Sequence, residues 1–402
     1  MSTPFRAVIY PTRVFSGPHA IDQLGAECGR LRASRAFVIS GRSLAANEAQ
    51  RGRIEAALGD ALAGWYGRVD KDSTYACVSE ATDQARDAGA DLIVAIGGGS
   101  VIVAARGVAI FLAESGDPFE LMTQYPEGQP AVSPRLNAPK LPIINVPTTP
   151  NTAVIRAGSA LKNDDLDHRM EYFDPKTRPT SIIWDDELVM STPVEFFRST
   201  ATIVFSSAVT AAGTSTDPLA DGDRAQALRL ARDAYPKLGT AEDGPGPRID
   251  LMAVAFLQNR VSDVTLLERG GQRRGWGHSY ALGTALHLQY EQVGQGETAS
   301  TINPTVLELD PPERPALERI ATALDLELPT GASDEEAAHL VAESLRATYR
   351  EAGMPTRLRD LDVPRDAFDR LIAATAKNFN ANLGRRDEDR SGEMRRILEA
   401  AW

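Results

Sequence analysis

Gly97-Gly98-Gly99-Ser100 follows a short apolar run at 92–96 and precedes an alanine-rich stretch with the look of a helix. A strand that ends on glycines and restarts as a helix can bring backbone N–H groups against a phosphate. No Cβ stands in the way, and the helix dipole favours the anion. The four residues alone read equally well as a tight structural turn. Two other stretches favour the phosphate reading. Thr148, Thr149 and Thr152, in PTTPNT (147–152), offer hydroxyls after a further apolar run, and Gly41 and Arg42, in ISGRS (39–43), follow an earlier one, where a ribose would lie. Ligands of open parallel sheets bind at the carboxyl ends of the strands, so three such loops form a candidate dinucleotide site.

These loops need a parallel sheet to hold them, and the first half of the chain predicts one. RAFVIS (35–40), DLIVAI (91–96), LPIINVP (141–147) and TSIIWD (180–185) read as strands apolar on both faces. Helical patterns at 20–31 and 75–89 alternate with them, as in an α/β nucleotide-binding domain. Beyond Trp184 strand runs give way to Ala/Leu-rich segments at 195–213, 224–235, 249–267, 277–291, 314–325, 334–352 and 365–377, which predict an all-helical domain. Residues 237–250 read as a Gly/Pro-rich connector. The expected division is an α/β dinucleotide-binding domain over 1–187 and a helical domain over 188–402, with the active-site cleft between them. The 402 residues carry a net charge of −12, from 43 basic and 55 acidic side chains, which favours neither nucleic acid nor an anionic membrane. Cys28 and Cys77, the only cysteines, make neither a disulfide framework nor a thiolate metal site. No signal peptide or membrane span is expected, and the cytoplasm is the expected compartment.

The sequence resembles the iron-containing alcohol dehydrogenase superfamily, whose dehydroquinate synthase-like fold joins a Rossmann-like domain to a helical one. PTRVFSGPHAIDQLG (11–25) is similar to the family's opening hairpin and first helix. AIGGGSVIVAARG (95–107) is similar to its GGGSxxDxAK element and PTTPNTA (147–153) to PTTxGTG. DPKTRPTSIIWDDELVMSTP (174–193) is similar to the segment closing the first domain, and VGQGETASTINPTVLELD (293–310) is closest to the maleylacetate reductase branch. The resemblance implies NAD(P), with Gly97, Gly98, Gly99 and Ser100 at the pyrophosphate and Thr148, Thr149 and Thr152 along the adenine and nicotinamide-ribose side. Gly41 stands where the family has an acidic group that selects NAD, and Arg42 beside it favours NADP. A homodimer is the family expectation.

Departures are as informative. The family's Asp and Lys in GGGSxxDxAK are Val103 and Arg106, and its Glu after PTTxGTGS is Ile155. An Asp and a His four residues apart would share one helix face, about 40° apart. Those metal-ligand positions are Phe205 and Val209. A third ligand survives as His278, the fourth aligns with Gln295, and a further family histidine is Leu282. One imidazole and one neutral amide cannot hold a divalent ion against water, so no metal is expected. His278 is then the candidate general acid/base, with a satisfied core histidine as the other reading. His287, about half a turn away, is expected to be structural. His19, His168 and His339 are expected at the surface, Arg169 as a solvated charge, and Tyr280, Gln295 and Glu297 as weak candidates for substrate contact. The expected activity is metal-independent hydride transfer between NAD(P) and an alcohol or ketone of a small-molecule or peptide substrate. A β-hydroxy acid such as a C-terminal Thr, oxidised and decarboxylated, is one option. A catalytically inactive partner subunit is the alternative.

Overall fold

The computed structural model describes residues 5, 8–127, 129–214, 217–268, 276–378 and 390–402, the side chains of 261–268 and 276–278 excepted. Strands β1 (Arg13–Gly17), β2 (Ala36–Gly41), β3 (Leu62–Val69), β4 (Leu92–Gly97), β5 (Ile143–Pro147), β6 (Gly158–Leu161), β7 (Met170–Phe173) and β8 (Ser181–Asp185) make two sheets. The larger has the order β1-β8-β5-β4-β2-β3, and every paired neighbour is parallel. Successive residues of the central strands enter opposite cores. Phe37, Ile39, Ile93 and Ala95 pack on one face of the sheet, and Val38, Val94, Ile96 and Ile144 on the other. This two-sided burial explains why these four strands were legible as continuous apolar runs. The chain leaves β2 toward β3 and leaves β4 toward β5, in the opposite direction. The adjacent ends of β2 and β4 therefore flank the switch point where such sheets bind ligands.

The edges differ from expectation. The opening hairpin is absent among the described residues: β1 is a single strand in parallel register with β8, Arg13 opposite Ser181. β3, unforeseen, carries two glycines that packing requires. A Cβ on Gly67 would stand 2.5 Å from the Ala45 Cβ, and one on Gly64 2.9 Å from the Phe37 ring. β6 and β7, also unforeseen, form an antiparallel pair beside the Gly99–Ala113 helix, where the Ser159 hydroxyl donates to the Val103 carbonyl (2.9 Å).

After Asp185 only helices follow among the described residues. The expected segments are found within a few residues, as Val194–Ala211, Pro218–Ala234, Pro245–Glu268, Trp276–Gln289, Arg314–Ala323, Asp334–Glu351 and Phe368–Ala376. Pro245 starts its helix inside the stretch taken for a connector, since the missing N–H costs nothing in the first turn. Not foreseen are the short Asp186–Met190 helix and two longer ones, Gln295–Leu309 and Ser391–Ala401. Gln295–Leu309 is rich in Ser and Thr and contains Pro304, which hid it. Thr298, Ser300, Thr301 and Thr305 are buried, and each hydroxyl donates to a carbonyl three or four residues earlier. One hydrophobic core joins Val154, Ile182 and Trp184 of the α/β half to Phe197, Phe205 and Val209 of the helical half. Among the described residues no helix is long and apolar enough to cross a membrane.

Candidate functional site

The glycine turn lies at the carboxyl end of β4. Gly97 has φ +150°, and a Cβ there would meet the Val101 side chain at 2.8 Å, so only glycine fits without strain. Gly98 caps the Gly99–Ala113 helix with no side-chain hydrogen bond, which leaves the first N–H groups of that helix for a ligand. Pro147 is in register with Gly97, and the Thr148 N–H donates to the Gly97 carbonyl at 3.0 Å. A Cβ on Gly98 would stand 3.5 Å from the Thr149 hydroxyl, and one on Gly99 3.5 Å from the Asn151 Cβ. The Thr149 hydroxyl is buried without a partner. Thr152 is half-buried in the turn beyond. The helical half reaches the same place, for the Phe196 ring would lie 3.8 Å from a Gly98 Cβ. An uncapped helix N-terminus walled by a side chain-free turn and an orphaned hydroxyl fits a dinucleotide pyrophosphate.

Gly41 ends β2, and the next residue, Arg42, opens a short helix. Arg42 is exposed and pairs with Asp70 at 3.1 Å. Asp70, just after β3, thus sets a carboxylate beside Arg42, a group hidden from sequence reading because β3 was not seen.

Residues 70–74 form the connection that sequence reasoning missed. Asp72 and Ser73 are both left-handed, at φ 62° and 52°, an expensive conformation for non-glycine residues. The Asp72 N–H donates to the Ser100 hydroxyl (3.1 Å), and the Ser73 hydroxyl donates to the Ser100 carbonyl (2.6 Å). On its other side the loop grips the helical half. Lys71 Nζ donates to carbonyls at the end of the Trp276–Gln289 helix and just beyond, among them Glu291 (2.6 Å) and Val293 (3.1 Å). The Asp72 carboxylate lies 3.2 Å from His287 Nδ1 and 3.4 Å from Arg169 Nη2, and that Arg169 nitrogen lies 3.2 Å from His287 Nε2. Only a neutral ring protonated on Nδ1 satisfies both neighbours, donating to Asp72 and accepting from Arg169. Burial, reinforced by Arg169, pushes the His287 pKa down, against the pull of Asp72. Burial also works against the Asp72 carboxylate, but its hydrogen bond to His287 and the nearby Arg169 and Lys71 hold its pKa below the usual value. Arg169 is therefore no solvated charge; its side chain is 11% exposed. His168, expected at the surface, is largely covered and lies edge-on to Tyr125. His19 and His339 are exposed, as expected.

Phe205, Val209 and Leu282, where the resemblance puts metal ligands and a further histidine, are apolar core. Phe205 stacks on Tyr235 with centroids 4.5 Å apart, and Val209 and Leu282 are fully buried among aliphatic side chains. Gln295 is exposed at the start of its helix, and Glu297 accepts from the Ser199 hydroxyl (2.7 Å). Among the described residues no three His, Cys, Asp or Glu side chains converge as a metal site, and these positions do not fit one. His278 belongs to the Trp276–Gln289 helix, but its side chain lies outside the described residues. Val103 and Ile155 pack as partly buried hydrophobics. Arg106, in the family's Lys position, is 2% exposed and donates to the carbonyls of Ala153 (2.7 Å) and Arg156 (2.9 Å). A cleft of about 520 Å³ opens on the far side of the Asp72 cluster, between the β6–β7 hairpin and the helices Trp276–Gln289 and Phe368–Ala376. Arg169, Thr284, Arg370 and Lys377 are among its walls.

The sequence profile described as "Iron-containing alcohol dehydrogenase" matches residues 11–186. A 4-hydroxybutyrate dehydrogenase of Cupriavidus necator is 26% identical over 407 residues, covering 98% of each chain. A maleylacetate reductase of Cupriavidus pinatubonensis is 38% identical over 109 residues, 26% of this chain and 29% of its own. The solved alcohol dehydrogenase from Oenococcus oeni has the same fold, with a TM-score of 0.82 at 18% identity over 99% of this chain and 100% of its own. The α/β half thus matches the iron-containing alcohol dehydrogenase family model, and the whole chain is similar to a dehydrogenase in sequence and to an alcohol dehydrogenase in fold.

Proposed function

We propose that the protein is a nicotinamide-dependent dehydrogenase acting on an alcohol or hydroxy acid and working without a metal ion. The observation that carries the reading is the uncapped start of the Gly99–Ala113 helix facing the unpartnered Thr149 hydroxyl. Bound nicotinamide supplies a hydride acceptor, or in the reduced form a donor, at its C4 carbon. The N–H groups at Gly99 and Ser100 hold the pyrophosphate, and Thr148, Thr149 and Thr152 line the ribose side. His278 takes the alcohol proton as the C–H hydride leaves, and returns it in the reverse direction. With Phe205 and Val209 apolar, developing charge on the substrate oxygen falls to hydrogen-bond donors. Arg42 favours the 2′-phosphate of NADP(H), and Asp70 moderates that preference. The related 4-hydroxybutyrate dehydrogenase supports a hydroxy acid, small or borne on a peptide, as substrate. Exposed Val8, Ile9, Tyr10 and Val14 around the edge strand β1 support a homodimer.

Fluorescence titration with NADH and NADPH, elemental analysis and turnover after chelation test the reading together. The expected result is saturable binding of both, no stoichiometric iron or zinc, and turnover that survives chelation. His278→Ala should then cost about 10²–10⁴-fold in rate. Activity lost on chelation and restored by added metal would overturn the metal-free mechanism.

A further inference from the structure

Arg106 is a buried cation with no carboxylate beside it. Nη1 is saturated by the Ala153 and Arg156 carbonyls. Its Nε is buried without a partner, and Nη2 makes no hydrogen bond among the described residues. These two nitrogens form one side of the guanidinium plane, the edge that meets a carboxylate through two parallel hydrogen bonds. The loop it grips bears more charge of the same sign. Arg156 donates from Nε to Asn259 (2.6 Å) on the Pro245–Glu268 helix, and Arg178 donates to the Ile155 carbonyl (2.6 Å). Asn259 and nearby Tyr280 belong to the helical half, so the guanidinium sits at the seam between the two halves. Burial, with Arg156 and Arg178 close by, lowers the Arg106 pKa to about 9, which leaves it charged at neutral pH. A buried cation whose Nε has no partner is costly unless an anion completes it.

We propose that the free edge of Arg106, with Arg156 beside it, receives the carboxylate of the substrate, so that the enzyme acts on a hydroxy acid or its oxo acid. This rests on the dehydrogenase reading. A cofactor phosphate is the other source of a pair of oxyanion oxygens. The pyrophosphate turn ends six residues before Arg106, about 9 Å back along the helix, which favours the substrate.

The test is calorimetric titration of the full-length protein saturated with NADH, using butyrate, butyramide and inorganic phosphate as probes, none of which can be turned over as an alcohol. Wild type should bind butyrate at least tenfold tighter than neutral butyramide. Arg106→Gln should bring that preference within twofold. Arg106→Lys keeps a cation that reaches the loop carbonyls but lacks the fork, so it should fold where the Gln variant fails, and should drop the preference to threefold or less. The proposal is overturned if wild type shows no preference for butyrate or if Arg106→Lys retains it in full. It is equally overturned if phosphate competes as well as butyrate while NADH affinity falls tenfold in the variant, since the edge would then serve the cofactor. Failure of wild type to bind NADH at all would sink the dehydrogenase reading instead, so the two failures are distinguishable.

Discussion

The glycine turn at the end of β4 and the Phe205–Val209 face of the Val194–Ala211 helix, where the resemblance puts two metal ligands, differ in what they keep. The turn has lost the family's Asp and Lys side chains to Val103 and Arg106, but its backbone geometry stands: Gly97 at φ +150°, Gly98 as an uncapped N-cap, and Thr149 across from it. On the other face, Phe205 and Val209 stand where the resemblance puts an Asp and a His, and both belong to the core, with Phe205 stacked on Tyr235. A function carried by N–H groups survives side-chain replacement, because every residue except proline brings the donor. A function carried by side-chain lone pairs ends with the side chains, and a buried position left apolar is quickly filled by packing.

The largest effect should come from forcing the second region back. Phe205→Asp with Val209→His restores the ligand pair but buries an unpaired carboxylate where an aromatic ring was stacked, at a cost of about 4–5 kcal/mol. Thermal unfolding with and without zinc measures it. A variant that folds with stoichiometric metal and near-native stability would mean that the site had been only dormant. Next, Gly99→Val adds branching carbons beside Asn151, which should reduce NADH affinity at least 100-fold, about 2.7 kcal/mol, while the melting temperature barely moves. Unchanged affinity would remove the turn from the binding site.

The 70–74 loop, which ties the glycine turn to the end of the Trp276–Gln289 helix, offers a third comparison. Asp72→Asn leaves Arg169 and His287 without their shared carboxylate, at a cost of about 3 kcal/mol, the low end of the range for breaking a buried pair because Asp72 keeps some exposure. The same cluster gives stability a pH dependence. Because the folded His287 pKa lies below its ordinary 6.5, the unfolded chain takes the proton first as pH falls. The contribution is complete above about pH 6.5 and is lost below it, at up to about 1.4 kcal/mol per pH unit for one proton. In His287→Gln that slope between pH 6.5 and 5 should vanish, and its persistence in denaturant melts would place the titration elsewhere. The smallest effect belongs to the exposed Arg42–Asp70 pair. Arg42→Ala should weaken NADPH by about 1 kcal/mol or less relative to NADH, and Asp70→Asn should shift the balance toward NADPH by a similar amount. A stronger NADPH preference in Arg42→Ala would refute the role given to the arginine.

Local signals were sufficient for the central strands β2, β4, β5 and β8, whose burial on two faces writes itself as apolar runs, and for the glycine turn, where the absence of Cβ is itself the signal. They also reached most of the helical half, through its Ala/Leu periodicity. What the sequence could not disclose depends on distant partners. β3 reads as a poor strand because its glycines are chosen by Phe37 and Ala45. Gln295–Leu309 reads as a poor helix because its hydroxyls and Pro304 are accommodated only by burial. With β3 unseen, the loop at its end was also lost, and with it Asp70, Lys71 and the Asp72–His287–Arg169 cluster. Arg169 and His287 are 118 residues apart, and no local rule can pair them. Periodicity reports how a segment meets its surroundings on average. Which charge meets which histidine, and which guanidinium edge is left open, is settled only when the two halves close on each other.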